Sequence, residues 1–98
     1  MEHETQSAVI EYLQLKGYFY WRNNSGALKT ERGGFIRFGS VGSPDVFVLK
    51  KGILYGLEIK SLKGKLSEGQ IEFKKGMEKH GGKYFIIRSL DDLVLIGL

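Results

Sequence analysis

Apolar side chains recur at Val9, Ile10 and Leu13, with Gln6 on the same arc. This spacing predicts a helix from about His3 to Lys16, stopped by Gly17. The aromatic run Tyr18 to Trp21 breaks that period and predicts a strand reaching Arg22, ahead of a turn-like Asn-Asn-Ser-Gly. Glycines at 26, 33, 34, 39 and 42 then punctuate two short β-like pieces, ALKTE and FIRF, which predict a hairpin across Arg32-Gly33-Gly34. Two apolar runs follow, Asp45 to Lys50 and Ile53 to Lys60, and read as strands. Beyond Gly64, LSEGQIEFKKGMEKHGG is an amphipathic helix with Ile71, Phe73, Met77 and His80 as inward positions, closed by Gly81-Gly82. KYFIIRS reads as a last strand and SLDDLVLI as a short helix, with Ser89 as N-cap and Asp92 at the third position. The predicted order is α-β-β-β-β-β-α-β-α, an α/β chain.

Composition narrows the class. The chain has 98 residues, 42% hydrophobic and 27% charged, which suits one domain (1–98) with a single core. No apolar run approaches the roughly 18 residues of a membrane helix. Met1 is followed by the polar EHETQS rather than an apolar core, so a cytosolic setting is expected. The absence of cysteine excludes disulfides, thiolate zinc sites and a cysteine nucleophile. His3 and His80 have no ligand-like spacing and read as surface residues. The formal charge is +4, with five Lys and Arg up to Leu49 and ten after it, a distribution that favours polyanionic partners.

The candidate chemistry lies in SPDVFVLKKGILYGLEIKS, Ser43 to Ser61. With Lys51-Gly52 as a two-residue hairpin loop, Lys50 pairs with Ile53 and, continuing outward, Asp45 faces Glu58. Directly opposed residues have Cβ atoms roughly 5 Å apart. Lys60, two residues on from Glu58, points to the same face. Val46, Val48, Tyr55, Leu57 and Ile59 fill the other face, and Phe47, Leu49 and Leu54 make the charged face apolar as well. Strands of that kind are expected inside a sheet covered on both sides, where two opposed carboxylates require a shared proton or a cation. Mg²⁺ or Mn²⁺ suits two carboxylates completed by carbonyl and water oxygens, and Lys60 beside it could act on the attacking water and offset phosphate charge. The alternative makes Asp45 a turn cap after Pro44 and Glu58 with Lys60 an exposed pair at a strand end.

Pro44-Asp45, followed after twelve residues by Glu58-Ile59-Lys60, resembles the PD-(D/E)XK nuclease signature. The longer string GSPDVFVLKKGILYGLEIKSLKGKLSEGQ is similar to the virus-type replication-repair nuclease (VRR-NUC) branch, in which G-x-PD, an E-x-K strand and an L-S-x-x-Q helix start recur in this order. The resemblance implies a restriction-endonuclease-like fold, a central mixed β-sheet flanked by helices. It implies metal binding by Asp45, Glu58 and the backbone carbonyl of Ile59, with Lys60 as the catalytic lysine. Gln70 matches the glutamine near the family's active centre, although Ser67-x-x-Gln70 is equally a capping box. The family also draws a glutamate from its first helix, for which Glu4 is the choice over Glu2 and Glu11. Lys63, Lys65, Arg37 and Lys29 are the expected DNA contacts, made to the backbone. The resemblance further implies a homodimer acting on branched DNA such as a four-way junction. The rival from another class is a non-catalytic nucleic-acid-binding module on the same fold.

Overall fold

The computed structural model describes residues 2–23, 31–33 and 41–98, together with the backbone of 26–29 and 35–38. Its elements are α1 (Glu2–Leu15), β1 (Phe19–Arg22), β2 (Gly26–Lys29), β3 (Phe35–Phe38), β4 (Val46–Lys50), β5 (Ile53–Ile59), α2 (Glu68–Lys79), β6 (Lys83–Ile87) and α3 (Leu90–Leu95). Four strands form one mixed sheet in the order β1-β4-β5-β6, and β2 pairs only with β3 in a separate antiparallel ribbon. Within the sheet the order is therefore α-β-β-β-α-β-α. Three of its strands precede α2, where the sequence pattern counts five, because the glycine-bounded pieces satisfy each other's backbone groups instead of joining the ladder.

Each helix is set by local chemistry. Gly17, at φ 76°, ends α1 with Tyr18 N–H donating to the Leu13 carbonyl, the 6→1 bond of a glycine-terminated helix. Ser67 caps α2 in a complete capping box: its hydroxyl accepts from Gln70 N–H, and Gln70 Oε1 accepts from Ser67 N–H. Ser89 is the N-cap of α3, but its side chain makes no cap hydrogen bond; Asp92 Oδ2 accepts instead from Arg88 N–H at 2.7 Å. No helix among the described residues is long and apolar enough to cross a membrane.

The sheet has two unequal faces. Val46, Val48, Leu57, Ile59 and Ile87 point to one, where Val9 and Leu13 of α1, Leu93 of α3 and Leu98 complete a buried core. Burial of such side chains contributes about 1.5–3 kcal/mol each. Tyr12 and Tyr18 hydroxyls donate to the Leu98 carbonyl at 2.8 and 2.9 Å, tying the chain end to α1. The other face carries α2, which covers the β5 and β6 side: Phe73 meets the Tyr84 ring, and Met77 Sδ packs so closely that a Cβ on Gly56 would lie 3.1 Å from it. Ile71 and His80, expected inward, are exposed. Ile71 lies in the first turn of α2 and His80 is its C-cap, while Phe73 and Met77 make the contact with the sheet.

The β4–β5 hairpin has the register that the two-residue loop predicts, Lys50 with Ile53 through Val46 with Leu57. Both loop residues are left-handed, Lys51 at φ 51° and Gly52 at φ 80°. Lysine in that region is strained by roughly 1 kcal/mol, whereas asparagine tolerates it. Lys51→Asn is therefore expected to stabilise the protein by up to about 1 kcal/mol, seen as a higher denaturant midpoint at unchanged slope.

Candidate active site

The hairpin register, carried one pair beyond Val46 and Leu57, sets Asp45 across from Glu58; one pair further, it sets Pro44 across from Ile59. Proline has no N–H and cannot close the ladder there. The backbone bends at Asp45, the Pro44 carbonyl accepts from Asn23 Nδ2 instead of from β5, and the Asp45 carboxylate takes the Ile59 N–H at 2.8 Å on Oδ2. Pro44 likewise has no N–H to offer the Ile59 carbonyl. A proline before the aspartate thus does two things at once: it turns a carboxylate into the sheet end and leaves a backbone carbonyl unmatched by the facing strand.

Glu58 is 4% exposed and stands beside Asp45. Burial, then the Asp45 charge and a hydrogen bond shared with Asp45, push the Glu58 carboxyl up to about 7, against the opposing pull of Lys60 and Tyr84. Lys60 Nζ lies 3.7 Å from Glu58 Oε2, with its side chain 16% exposed. Asp45, Glu58 and Lys60 therefore come together, and Glu58 with Lys60 is not an exposed pair at a strand end. The turn-cap reading of Asp45 survives in part, since its Oδ2 does bond backbone.

Three residues that the sequence reading passed over build the surround. Tyr84 of β6 is buried beneath the pair, its hydroxyl 3.3 Å from Glu58 Oε1 and 3.5 Å from the Gly42 carbonyl. Burial, reinforced by the Glu58 charge, raises the Tyr84 hydroxyl well above its usual range and keeps it a donor. Asn23, just after β1, donates Nδ2 to Ser43 Oγ at 2.7 Å and to the Pro44 carbonyl at 2.9 Å, while its N–H donates to the Asp45 carbonyl at 2.8 Å. Gly42, at φ 81°, runs so close to the start of α2 that a Cβ there would lie 2.1 Å from the Gly69 carbonyl oxygen. Asn23 and Gly42 hold the Ser43-Pro44-Asp45 bend against β1 and α2. Tyr84→Phe is expected to raise the Glu58 pKa further and to cost about 1 kcal/mol, measured by carboxyl titration in carbon-detected NMR and by urea unfolding.

The remaining predicted residues are dispersed. Gln70 sits at the first turn of α2 with Oε1 engaged in the capping box. Glu4 is exposed on α1. Among the described residues no group of three or more His, Asp or Glu side chains is placed to hold a metal ion, so the acidic cluster is the Asp45–Glu58 pair. Lys63 and Lys65 are exposed on the loop between β5 and α2, whose Ser61–Gly64 turn is tethered by the Arg88 guanidinium donating to the Ser61 carbonyl. Lys29 and Arg37 lie on β2 and β3, and their side chains fall outside the described residues. His3 and His80 are exposed.

A carboxylate pair of buried Glu58, held near 7, and half-buried Asp45, with a proline-facing carbonyl and an amine at its rim, fits a hard divalent cation such as Mg²⁺ or Mn²⁺, which takes one or two carboxylates and fills its other positions with water and substrate oxygens. In comparisons with known proteins, no family model matches the chain and no curated protein matches it.

Proposed function

We propose that the protein is a metal-dependent endonuclease hydrolysing DNA phosphodiester bonds, a VRR-NUC-like domain of the PD-(D/E)XK class on a restriction-endonuclease-like fold. The observation that carries this reading is the Asp45–Glu58 pair, forced together at the end of a buried hairpin with Lys60 Nζ 3.7 Å from Glu58. Asp45, Glu58 and the Ile59 carbonyl would hold Mg²⁺ or Mn²⁺. When bound, the ion supplies Lewis acidity toward the phosphate and lowers the pKa of water.

The chain's own residues do the rest. Asp45 and Glu58 present negative charge at a fixed spacing, and Tyr84 orients Glu58 from below. Lys60 faces the developing charge on the phosphate, where a fixed cation contributes more than it would in water. Lys63 and Lys65, beyond the end of β5, supply sequence-independent phosphate contacts. Gln70 and Glu4 belong to this reading by family pattern. A homodimer cutting branched or four-way DNA is the assembly that the pattern favours.

Incubating the purified protein with linear, flap and four-way DNA, each with EDTA, Mg²⁺ or Mn²⁺, tests the proposal. Cleavage dependent on the ion is the expected result. Salt-sensitive binding to all three without cleavage under any ion would instead establish the non-catalytic module.

A further inference from the structure

Among the described residues, the face of the sheet that carries Glu58 is covered over only half its width. The helix α2 lies over β5 and β6, and the β1–β4 half of the same face presents Phe19, Trp21, Phe47 and Leu49. Phe19 is 68% exposed, and Trp21 and Leu49 are each 42% exposed. The three rings form one strip: Trp21 stacks on Phe47 with centroids 5.2 Å apart at 30°, and Phe19 meets Trp21 edge-on at 6.2 Å. A contiguous aromatic surface of this kind marks a place where something binds.

We propose that this strip is a stacking platform for unpaired bases of the DNA strand whose phosphate lies at Asp45 and Glu58. The inference rests on the nuclease reading and names its substrate class: DNA with unpaired bases next to the cut. Placement is the first argument. Trp21 pairs with Phe47, and Phe47 is two residues along the strand from Asp45, about 7 Å by strand rise, so the base of a neighbouring nucleotide comes within reach of the ring. Charge is the second. Neither β1 nor β4 contains an aspartate or glutamate, and Arg22 and Lys50 fall on the opposite face with Val46 and Val48, so the strip sets no carboxylate of its own strands against a polyanion. A polyanion with flat apolar bases suits such a surface, and stacking on aromatic side chains accepts any base.

Trp21 is the single tryptophan of the chain, so stacking reports itself. Titrating the wild-type protein in EDTA with a twelve-nucleotide oligothymidylate is expected to quench tryptophan emission saturably, and a blunt duplex of equal length is expected to quench far less. Phe19→Ala, at an exposed position that the core does not use, is expected to weaken oligothymidylate binding about five-fold or more while the slope of affinity against salt stays unchanged. Phe19→Tyr is expected to bind as wild type does. Absence of quenching, or equal affinity of Phe19→Ala and wild type, overturns the proposal. So does a concentration-dependent emission shift without DNA that tracks dimer formation in light scattering, which would assign the strip to a second copy of the chain. Metal-dependent cleavage of four-way DNA by the same preparation reads the nuclease proposal separately: cleavage without quenching sinks the platform alone, and quenching without cleavage under any ion sinks the nuclease reading.

Discussion

Cleavage by the Asp45→Ala protein is expected to fall at least about 10³-fold, the scale of losing a preorganised electrostatic group at a reacting centre, with DNA affinity in EDTA retained. Asp45 also accepts the Ile59 N–H, so alanine removes a structural bond together with the charge. Asp45→Asn separates the two effects, because the amide oxygen still accepts from Ile59 while the negative charge is gone. Loss of activity in both variants, with the asparagine protein as stable as wild type or more so, would place the defect in the chemistry. Lys60→Ala is expected to lose about 10²- to 10³-fold in rate with little change in stability, since its contact with Glu58 is a long ion pair. Initial rates on one DNA substrate, with affinities measured in EDTA, check all three. Wild-type rates in Asp45→Ala would remove the acidic pair from the reaction.

In the absence of divalent cations, stability is expected to decline as pH rises from about 4.5 to above 7. Glu58 titrates near 7 in the folded chain against an ordinary value of 4.5, so the folded state holds the proton more tightly than the unfolded state. The contribution is fully present below pH 4.5 and is lost as pH climbs through the folded value, a span worth about 3 kcal/mol. The groups facing Glu58 are Asp45, Lys60 and Tyr84, and the Asp45 charge is part of what drives the shift. Glu58→Gln is expected to flatten this dependence and to be the more stable protein at pH 8 without metal. Urea midpoints at pH 5 and pH 8 in EDTA measure it. A wild-type protein equally stable at both values would show that Glu58 does not retain its proton.

The parts of this arrangement that were legible in sequence are those fixed by short-range geometry. A Lys-Gly loop of two residues sets the hairpin register, and the register alone brings Asp45 to Glu58 and aligns Lys60 with it. The parts that were not legible depend on pairings between distant segments. Tyr84 reaches Glu58 because β6 joins β5 in parallel with Gly56 beside Tyr84, and no local turn fixes the register of a parallel pair. Asn23 reads as one of several turn residues until β1 is known to lie against β4. The half-open face was missed for a similar reason. Strands apolar on both sides predict cover on both sides, but α2 is too narrow to span four strands, and Phe19 and Trp21 of β1 remain exposed. The NNSG turn and the glycines after it gave the hairpin of β2 and β3 but not its separation from the sheet.

Calorimetric titration of Mn²⁺ into the DNA-free protein at pH 6, repeated in two buffers of different ionisation enthalpy, tests the paired carboxylates most directly. At that pH Glu58 carries its proton, and an ion held between Asp45 and Glu58 must displace it. Binding accompanied by release of about one proton per ion, and abolished in both Glu58→Gln and Asp45→Asn, is the result expected. Binding without proton release, or binding that persists in those two variants, would contradict a cation site at this pair.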